Sequence, residues 1–284
     1  MAEAICSAYR HLSERAGGTD TDVAVRSSAT AEDLPDASFA GQQETFLNVR
    51  GEQALLVACR RCYASLFTNR AISYREAKGF DHMKVALSIG VQRMVRSDLA
   101  GAGVMFSIDT ETGFDKLVVI NAAWGLGENV VQGTVDPDEY EVFKPLLDND
   151  ELTPIIGKKL GEKQLKVIYA SDARTPTKNV PTSKAERAAG VGTDPEILDL
   201  ARWACDIERH YGQPMDIEWG KDGATGGLFV VQARPETVQS RAGRTIQRFS
   251  LKSRSQVVST GRSIGQRIGS GAARIIRDVG EMAR

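Results

Sequence analysis

Apolar residues recur at three-to-four spacing along residues 52–78, and this periodicity predicts a long amphipathic helix. Its apolar face would consist of Leu55, Leu56, Cys59, Cys62, Tyr63, Leu66 and Phe67. Two further helices are predicted over Ala2–Arg15, which is followed by glycines, and over Asp194–Tyr211. Asp194 is the candidate N-cap of the second of these helices, because Pro195 directly follows it and suits the first helical turn.

Alternation with a period of two predicts strands in much of the remaining chain. It is clearest over residues 85–95, where Leu87, Ile89 and Val91 would share one face of a strand. Other strands are predicted over residues 22–27, 44–49, 101–107, 116–123, 140–144, 164–169, 215–219 and 228–233. The periodicity fades after Pro235. The pattern therefore predicts an α+β fold with mixed sheets, followed by a linker.

The composition is that of an ordinary soluble globular protein. The chain has 284 residues, of which 42% are hydrophobic and 26% are charged. No apolar run is long enough to span a bilayer, so we expect no membrane partner. The cysteines show no pairing pattern, which suits a reducing cytoplasm. Cys59 and Cys62 form one C-x-x-C pair with no second pair and no nearby histidine, so the sequence does not favour a zinc site.

The formal net charge of -1 hides a basic C-terminal segment. Residues 241–284 contain ten Arg or Lys residues and two acids, Asp278 and Glu281. Such a segment can bind nucleic acid, or it can be a solvated linker that runs over an acidic neighbour. Because Phe249 is its only aromatic residue, we favour the linker and expect no nucleic-acid partner.

Two neighbouring predicted strands carry the most informative polar residues. Alternation places Asp216 and Glu218 on one face of the first strand, and Gln232 and Arg234 on one face of the second. Carboxylate oxygens suit Mg²⁺, and a guanidinium suits phosphate oxygens. The alternative is an amphipathic surface hairpin whose charges face water. The register between the two strands is left open by the sequence.

A second candidate lies near the N-terminus, where a short strand ends in Arg26. The loop after it, residues 27–43, is rich in small and hydroxyl-bearing residues and contains Gly41. Such loops allow backbone N–H groups to approach phosphate oxygens, although many ordinary loops look the same. Neither a Walker motif nor a G-x-G-x-x-G motif after a strand is present. The histidines His11, His82 and His210 show no partner pattern.

At these residues the sequence resembles the phosphoenolpyruvate synthase (pyruvate, water dikinase) family. The signature is VRSSATAEDLPDASFAGQ at residues 25–42, and the likeness covers nearly the whole chain. It continues at residues 45–49, 65–67, 70–75, 103–107, 121–128 (NAAWGLGE), 216–218 (DIE) and 232–237 (QARPET). The likeness is therefore far more specific than either polar cluster alone.

The resemblance implies an ATP-grasp nucleotide domain, to which the family adds a swivelling phosphohistidine domain and a pyruvate-binding barrel. The family converts ATP, pyruvate and water to phosphoenolpyruvate, AMP and phosphate. Residues 1–240 would be a partial ATP-grasp domain, and 241–284 a basic linker with the start of the phosphohistidine domain. The partners would be ATP and the phosphohistidine and pyruvate-binding domains, in cis or in trans. A homo-oligomer is left open.

The resemblance also implies roles for individual residues. Arg26 would contact the ATP phosphates, and the glycine-rich phosphate loop would include Gly41, Thr45 and Phe46. Gln92 and Met94 would lie near the adenine. Magnesium and the phosphates would be positioned by Glu218, Gln232 and Asp216. Arg234 would stabilise charge on the transferring phosphoryl group, which makes Arg26 and Arg234 the expected catalytic residues.

Two departures from the family pattern set the functional expectation. The family's chain begins before the position of Met1, with a lobe that includes a phosphate-contacting lysine, and it continues to a Thr-Cys-His motif that this sequence lacks. We therefore expect an ATP–Mg²⁺-binding portion that does not turn over alone. The alternatives are the nucleotide module of a rifampicin-phosphotransferase-like dikinase and a non-catalytic remnant or interaction module. Residues 68–74 and 136–140 favour the synthase.

Overall fold

The computed structural model describes residues 1–29, 33–34, 37–38, 44–149, 151–172 and 175–236. Gly41, the predicted linker 241–284 and most of the predicted loop 27–43 lie outside the described residues. The described part is a mixed α/β structure with several antiparallel sheets, which agrees with the predicted combination of helices and strands.

The helices are α1 (Ala2–Arg15), α2 (Glu52–Ala64), α3 (Asn69–Lys78), α4 (Glu128–Val131), α5 (Lys184–Ala188) and α6 (Asp194–Tyr211). The strands are β1 (Val23–Ala29), β2 (Asp33–Leu34), β3 (Ala37–Ser38), β4 (Phe46–Val49), β5 (Leu87–Arg93), β6 (Gly101–Phe106), β7 (Leu117–Trp124), β8 (Asp138–Phe143), β9 (Ile155–Lys159), β10 (Leu165–Asp172), β11 (Thr175–Pro181), β12 (Met215–Lys221) and β13 (Leu228–Pro235). Short 3-10 turns occur at Ser65–Phe67, Ser97–Leu99 and Lys144–Leu146. No helix among these residues is long and apolar enough to cross a membrane.

Two larger sheets organise the described chain. The three-stranded sheet has the order β4-β1-β5, and the six-stranded sheet has the order β13-β12-β6-β7-β8-β9. Neighbouring strands are antiparallel in both sheets. Two-stranded pairs are formed by β10 with β11 and by β2 with β3.

The three-stranded sheet is covered on one face by α1 and α2. Val23 and Val25 point to this face, where they are fully buried with Tyr9 and Leu55. Because side chains alternate along a strand, Ala24 and Arg26 point to the opposite face. Because α1 and α2 cover one face of the sheet, the opposite face of β1 can line a cleft.

The six-stranded sheet packs one face against α6. Ile120, Tyr140 and Ile217 on the strands and Leu200 on the helix are all fully buried there. Alternation places Asp216 and Glu218 of β12 on the other face, and both are only partly buried.

The predicted helix 52–78 is interrupted. After the 3-10 turn Ser65–Phe67, Thr68 adopts an extended conformation with ψ of 151° and is the N-cap of α3. Its hydroxyl accepts a hydrogen bond from the backbone N–H of Ala71 at 3.3 Å. The apolar periodicity continues across the break, so the spacing alone could not reveal it.

The prediction of Asp194 as an N-cap is wrong by one residue. Thr193 caps α6 in a capping box with Glu196, whose carboxylate accepts the backbone N–H of Thr193 at 2.9 Å. Asp194 instead pairs with Lys158 of β9 at 2.7 Å. Both residues are good caps, and only the backbone geometry distinguishes them.

A buried ion pair between Asp138 and Lys163 stabilises the part of the six-stranded sheet that lies away from the β12–β13 hairpin. Both side chains are fully buried. The Asp138 carboxylate also accepts the backbone N–H of Gly161 at 2.9 Å and that of Val191 at 2.8 Å. One carboxylate thus holds β8, the segment before β10 and the segment before α6 together.

Candidate functional site

A cleft of about 560 Å³ lies between the two larger sheets. One wall comes from β1, β4 and the end of β5, and the other from β6, β12 and the bulged part of β13. Among the predicted site residues, those that line the cleft are Arg26, Thr45, Gln92, Met94 and Glu218. Its volume lies within the range of small-molecule sites, about 300–1,000 Å³.

One end of the cleft is apolar. Ala24, Met94 and Leu126 are at most 8% exposed and pack together with Leu47. Gln92, which lies opposite Ala24 in the strand ladder, adds a single amide to this end. Such a lining suits a flat apolar group that carries few hydrogen-bonding atoms.

The other end of the cleft is charged. Arg26 extends from β1 toward the β12–β13 hairpin, where its Nη2 donates to Glu218 at 3.1 Å and also to the amide oxygen of Gln232. Its Nη1 donates to the carbonyl of Val231 at 3.4 Å. The Arg26 and Glu218 side chains are 22% and 23% exposed, so a ligand can reach both.

The register of the β12–β13 hairpin pairs its polar residues directly. Glu218 lies opposite Gln232 and Asp216 lies opposite Arg234, so the four side chains share one face. The register shifts after Glu218, which leaves Val231 as an extra residue on β13. The carbonyl of Val231 accepts hydrogen bonds from Arg26 and, at 3.4 Å, from Gln92. The bulge thereby links the charged and apolar ends of the cleft.

Asp216 and Arg234 form an ion pair of their own outside the cleft, two residue pairs along the hairpin from Glu218 and Gln232. The Nε and Nη2 atoms of Arg234 lie 2.8 Å and 2.7 Å from Oδ2 of Asp216. Burial raises the pKa of Asp216, and the charge of Arg234 opposes that shift. The carboxylate of Asp216 and the guanidinium of Arg234 therefore compensate each other in this structure.

Phe46 lies on the other side of β4 from the cleft. Its ring packs into the core beneath α2, and the guanidinium of Arg61 lies 4.6 Å from its centroid. Thr45 and Leu47, one position to either side, line the cleft instead. Strand alternation is the physical reason for this division. Gly41 lies outside the described residues.

Three charged residues that sequence reasoning missed also line the cleft: Arg93 at the end of β5 and two residues on helices. Arg70 projects from the first turn of α3, and Glu128 begins α4. Burial raises the pKa of Glu128, although a hydrogen bond with Thr177 acts in the opposite direction. Both residues lie in segments that carry the family likeness, but charged residues on helices are usually solvated, so residue type alone gave no signal.

Two further clefts lack the Arg26–Glu218 pair. The smaller, about 610 Å³, contains charges that largely pair with one another, such as Lys144 with Glu208. The larger, about 1,100 Å³, lies between α2 and the β10–β11 hairpin and shares Thr45, Leu47 and Glu128 with the first cleft. The described residues contain no group of three or more His, Cys, Asp or Glu side chains that could hold a metal by itself.

Comparisons with known proteins agree with the motifs. The family model of the pyruvate phosphate dikinase AMP/ATP-binding domain matches residues 1–254. A phosphoenolpyruvate synthase of Synechocystis sp. is 58% identical over 99% of this chain and 36% of the relative. The phosphoenolpyruvate synthase of Escherichia coli K12 is 54% identical over 100% of the chain and 36% of the relative.

The likeness extends to an archaeal relative. A probable phosphoenolpyruvate synthase of Methanocaldococcus jannaschii is 41% identical over 98% of the chain and 22% of the relative. The chain spans about a third of the length of the bacterial synthases, 36% in each of the two above. The family resemblance inferred from the motifs is confirmed: the chain belongs to the pyruvate phosphate dikinase AMP/ATP-binding domain family.

Proposed function

We propose that the cleft between the two larger sheets binds ATP with Mg²⁺ and that the chain is the nucleotide-handling portion of a phosphoenolpyruvate synthase. The observation that carries the proposal is the contact of Arg26 with Glu218 and Gln232 across the cleft. It joins a guanidinium suited to phosphate with two oxygen ligands at the charged end of a cleft whose other end is apolar. We further propose an ATP-grasp arrangement, in which two sheets enclose the nucleotide.

The two ends of the cleft fit the two parts of ATP. The adenine would lie at the apolar end, against Met94 and Leu126 and within reach of the Gln92 amide. The triphosphate would extend toward Arg26 and Thr45. Along one face of β1, Ala24 and Arg26 are separated by about 6.8 Å, the length of two strand residues. A single strand can therefore contact the base side and the phosphate side of one nucleotide.

The oxygen ligands of the hairpin fit Mg²⁺. Mg²⁺ is usually held by one or two carboxylates together with substrate phosphates, and Glu218, Asp216 and the amide oxygen of Gln232 supply such a set. The ion would neutralise charge on the phosphate oxygens. Arg26 is bound to these same ligands here, so we infer that phosphate oxygens replace Glu218 and Gln232 as its acceptors.

Arg234 lies further along the same face of the hairpin and would act on the transferring phosphoryl group. Its guanidinium is aligned by Asp216 in a two-atom contact, which fixes the plane of the group before a ligand arrives. Together with Arg26 and Arg70, it would balance the charge of the transferring phosphoryl group. Positioning and charge neutralisation of this kind account for most of the catalysis of phosphoryl transfer.

The acceptor chemistry would require other domains. Because the relatives are phosphoenolpyruvate synthases, we propose that the phosphoryl group passes to a histidine of a swivelling domain and then to pyruvate, with these domains supplied in cis or in trans. The boundary near residue 240 between the nucleotide domain and a basic linker is part of the same proposal, as are Gly41 in the phosphate loop and residence in the cytoplasm.

Isothermal titration with ATP–Mg²⁺ tests the proposal. We expect the wild-type chain to bind and Arg26→Gln to weaken binding by about tenfold or more, the loss expected for a charge-assisted contact of about 1.5–3 kcal/mol. Arg209→Gln is the matched control, because Arg209 is 76% exposed and lies on α6, away from the cleft. Absence of binding by the wild type at millimolar ATP would instead favour a non-catalytic interaction module.

A further inference from the structure

The connecting segment, residues 94–100, joins the two larger sheets. It begins where β5 ends and finishes where β6 begins. Met94, Val95 and Ser97 from this segment line the cleft. The position of the segment therefore sets the distance between the two walls at the apolar end.

The side chain of Arg96 fixes the connecting segment through contacts on the side away from the cleft. Its Nε and Nη2 donate to the two carboxylate oxygens of Asp98 at 2.8 Å and 2.9 Å. The guanidinium carbon lies 4.7 Å from the ring centroid of Tyr169 on β10. Asp98 is only 5% exposed, which strengthens the pairing and fixes the plane of the guanidinium.

Tyr169 connects Arg96 to Asp22, the residue directly before β1. Its hydroxyl donates to Oδ2 of Asp22 at 2.6 Å. The carbonyl of Asp22 in turn accepts the backbone N–H of Met94 at 3.0 Å. Arg96, Tyr169 and Asp22 thus close a ring of contacts around the Met94 end of the connecting segment.

The main chain of Arg96 is bound to the β12–β13 loop as well. Its N–H donates to Asp222 at 3.4 Å, and its carbonyl accepts the N–H of Gly223 at 3.1 Å. A Cβ atom on Gly223 would lie 2.5 Å from Cβ of Leu99, so glycine is required for this close approach. The loop and Tyr169 hold the segment from two sides.

We propose that Arg96 is a positioning residue for base selection, because it fixes the connecting segment between Tyr169 and the β12–β13 loop and so sets the width of the apolar end of the cleft. The inference rests on the proposed nucleotide function. The guanidinium points to Asp98 and Tyr169 rather than to the cleft, so its effect on a base would pass through Met94 and Val95. A wall of fixed width can discriminate between adenine and the differently substituted guanine by shape, whereas the phosphates are the same in both nucleotides.

The test compares ATP and GTP binding in the intact chain. Arg96→Lys retains the charge but loses the two-atom contact with Asp98 and the flat stacking surface. We expect Arg96→Lys to weaken ATP binding by about tenfold and to leave GTP binding nearly unchanged, so that the preference for ATP collapses. Arg26→Gln, on the phosphate side, should weaken both nucleotides equally.

Tyr169→Phe provides an independent variant if Arg96→Lys folds poorly. It keeps the ring under Arg96 and removes the hydroxyl bond to Asp22, so a smaller loss of ATP preference is expected. The double variant should be no more permissive than Arg96→Lys alone, because both changes release the same segment. Thermal unfolding is measured alongside, and titrations are made well below the melting temperature.

The possible outcomes distinguish a failure of base selection by Arg96 from a failure of the proposed nucleotide binding. Base selection by Arg96 would be overturned if Arg96→Lys and Tyr169→Phe kept the preference for ATP. It would also be overturned if they lost affinity for ATP and GTP equally and had a lower melting temperature. Either result would leave the proposed ATP binding intact. Failure of the wild-type chain to bind either nucleotide would overturn the proposed function and the inference with it.

Discussion

Asp216 and Arg234 face each other across the β12–β13 hairpin, with Nε of Arg234 2.8 Å from Oδ2 of Asp216. On the same face of the hairpin the next pair is Glu218 with Gln232, two residues further along each strand. The Asp216 carboxylate and the Arg234 guanidinium are therefore each held in place by the other, and loss of either partner leaves a partly buried charge.

The first prediction concerns this pair. Arg234→Ala should destabilise the fold by about 1–3 kcal/mol at neutral pH, because Asp216 remains as a buried carboxylate without its cation. Asp216→Asn should cost less, since the amide oxygen still accepts from Arg234 and no negative charge is buried. Urea denaturation of both variants gives the comparison, and a larger loss for Asp216→Asn would contradict it.

The pH dependence of Arg234→Ala has a definite sign. Burial already holds the pKa of Asp216 above its ordinary value, and removal of Arg234 raises that pKa further. A carboxyl group with a raised folded-state pKa favours folding below its unfolded-state pKa and loses that contribution as pH rises through the folded value. The deficit of Arg234→Ala relative to the wild type should therefore shrink as pH falls from 7 toward 4, measured by denaturation at each pH.

The second prediction concerns Asp138 and Lys163, whose side chains are both fully buried. Lys163→Met should destabilise the fold by about 3–5 kcal/mol, because it leaves an unpaired buried carboxylate. The double variant Asp138→Asn with Lys163→Met should recover part of this loss, since no charge remains buried. The recovery is only partial because the N–H groups of Gly161 and Val191 bond to different oxygens of Asp138, and the single oxygen of asparagine can accept only one of them. A double variant that is less stable than Lys163→Met would contradict the prediction.

The third prediction concerns Gly103, at the floor of the cleft. A Cβ atom there would lie 1.8 Å from the backbone oxygen of Asn121 and 3.0 Å from Nε1 of Trp219. Gly103→Ala should therefore separate β6 from β7 and cost about 1–3 kcal/mol or more. Gly18→Ala is the matched control, because no heavy atom outside its chain neighbours lies within 4 Å of its added Cβ. Equal melting temperatures for the two variants would contradict the close packing of β6 on β7.

The fourth prediction concerns acid stability. Hydrogen bonds from Lys166 and from the backbone of Ser183 lower the pKa of Glu186 from 4.5 to about 2. A lowered folded-state pKa stabilises the fold above pH 4.5, and this contribution is lost as pH falls from 4.5 toward 2. Glu186→Gln should thus be less stable than the wild type at pH 6 and nearly equal to it at pH 2. A constant difference across this range, measured by denaturation, would contradict the assignment.

Sequence reasoning located the strands that line the cleft and the face of β12 on which its polar residues lie, but it missed β9 and β11. The alternation in β12 correctly separated Asp216 and Glu218 from the buried Ile217. The register across the hairpin was not predictable, because it depends on the bulge at Val231, and one added residue shifts every later pair. Local alternation is a property of one strand, whereas register is a property of two.

Contacts between distant parts of the chain were beyond sequence reasoning for a different reason. Arg26 and Glu218 are separated by 192 positions, and their contact depends on how the two sheets pack. The family resemblance suggested that both act on the same ligand, but the hydrogen bonds to Gln232 and Val231 follow only from the fold. The break at Thr68 was equally hidden, because the apolar face of α2 continues into the 3-10 turn.

Hydrogen–deuterium exchange with and without ATP–Mg²⁺ tests most directly whether the nucleotide lies between the two larger sheets. We expect slower exchange on binding in residues 24–26, 92–97 and 216–219, and unchanged exchange along Asp194–Tyr211, which lies on the far face of the six-stranded sheet. Protection confined to residues 50–61 and 176–177, which line the larger neighbouring cleft, would contradict the proposed site, as would binding that protects neither set.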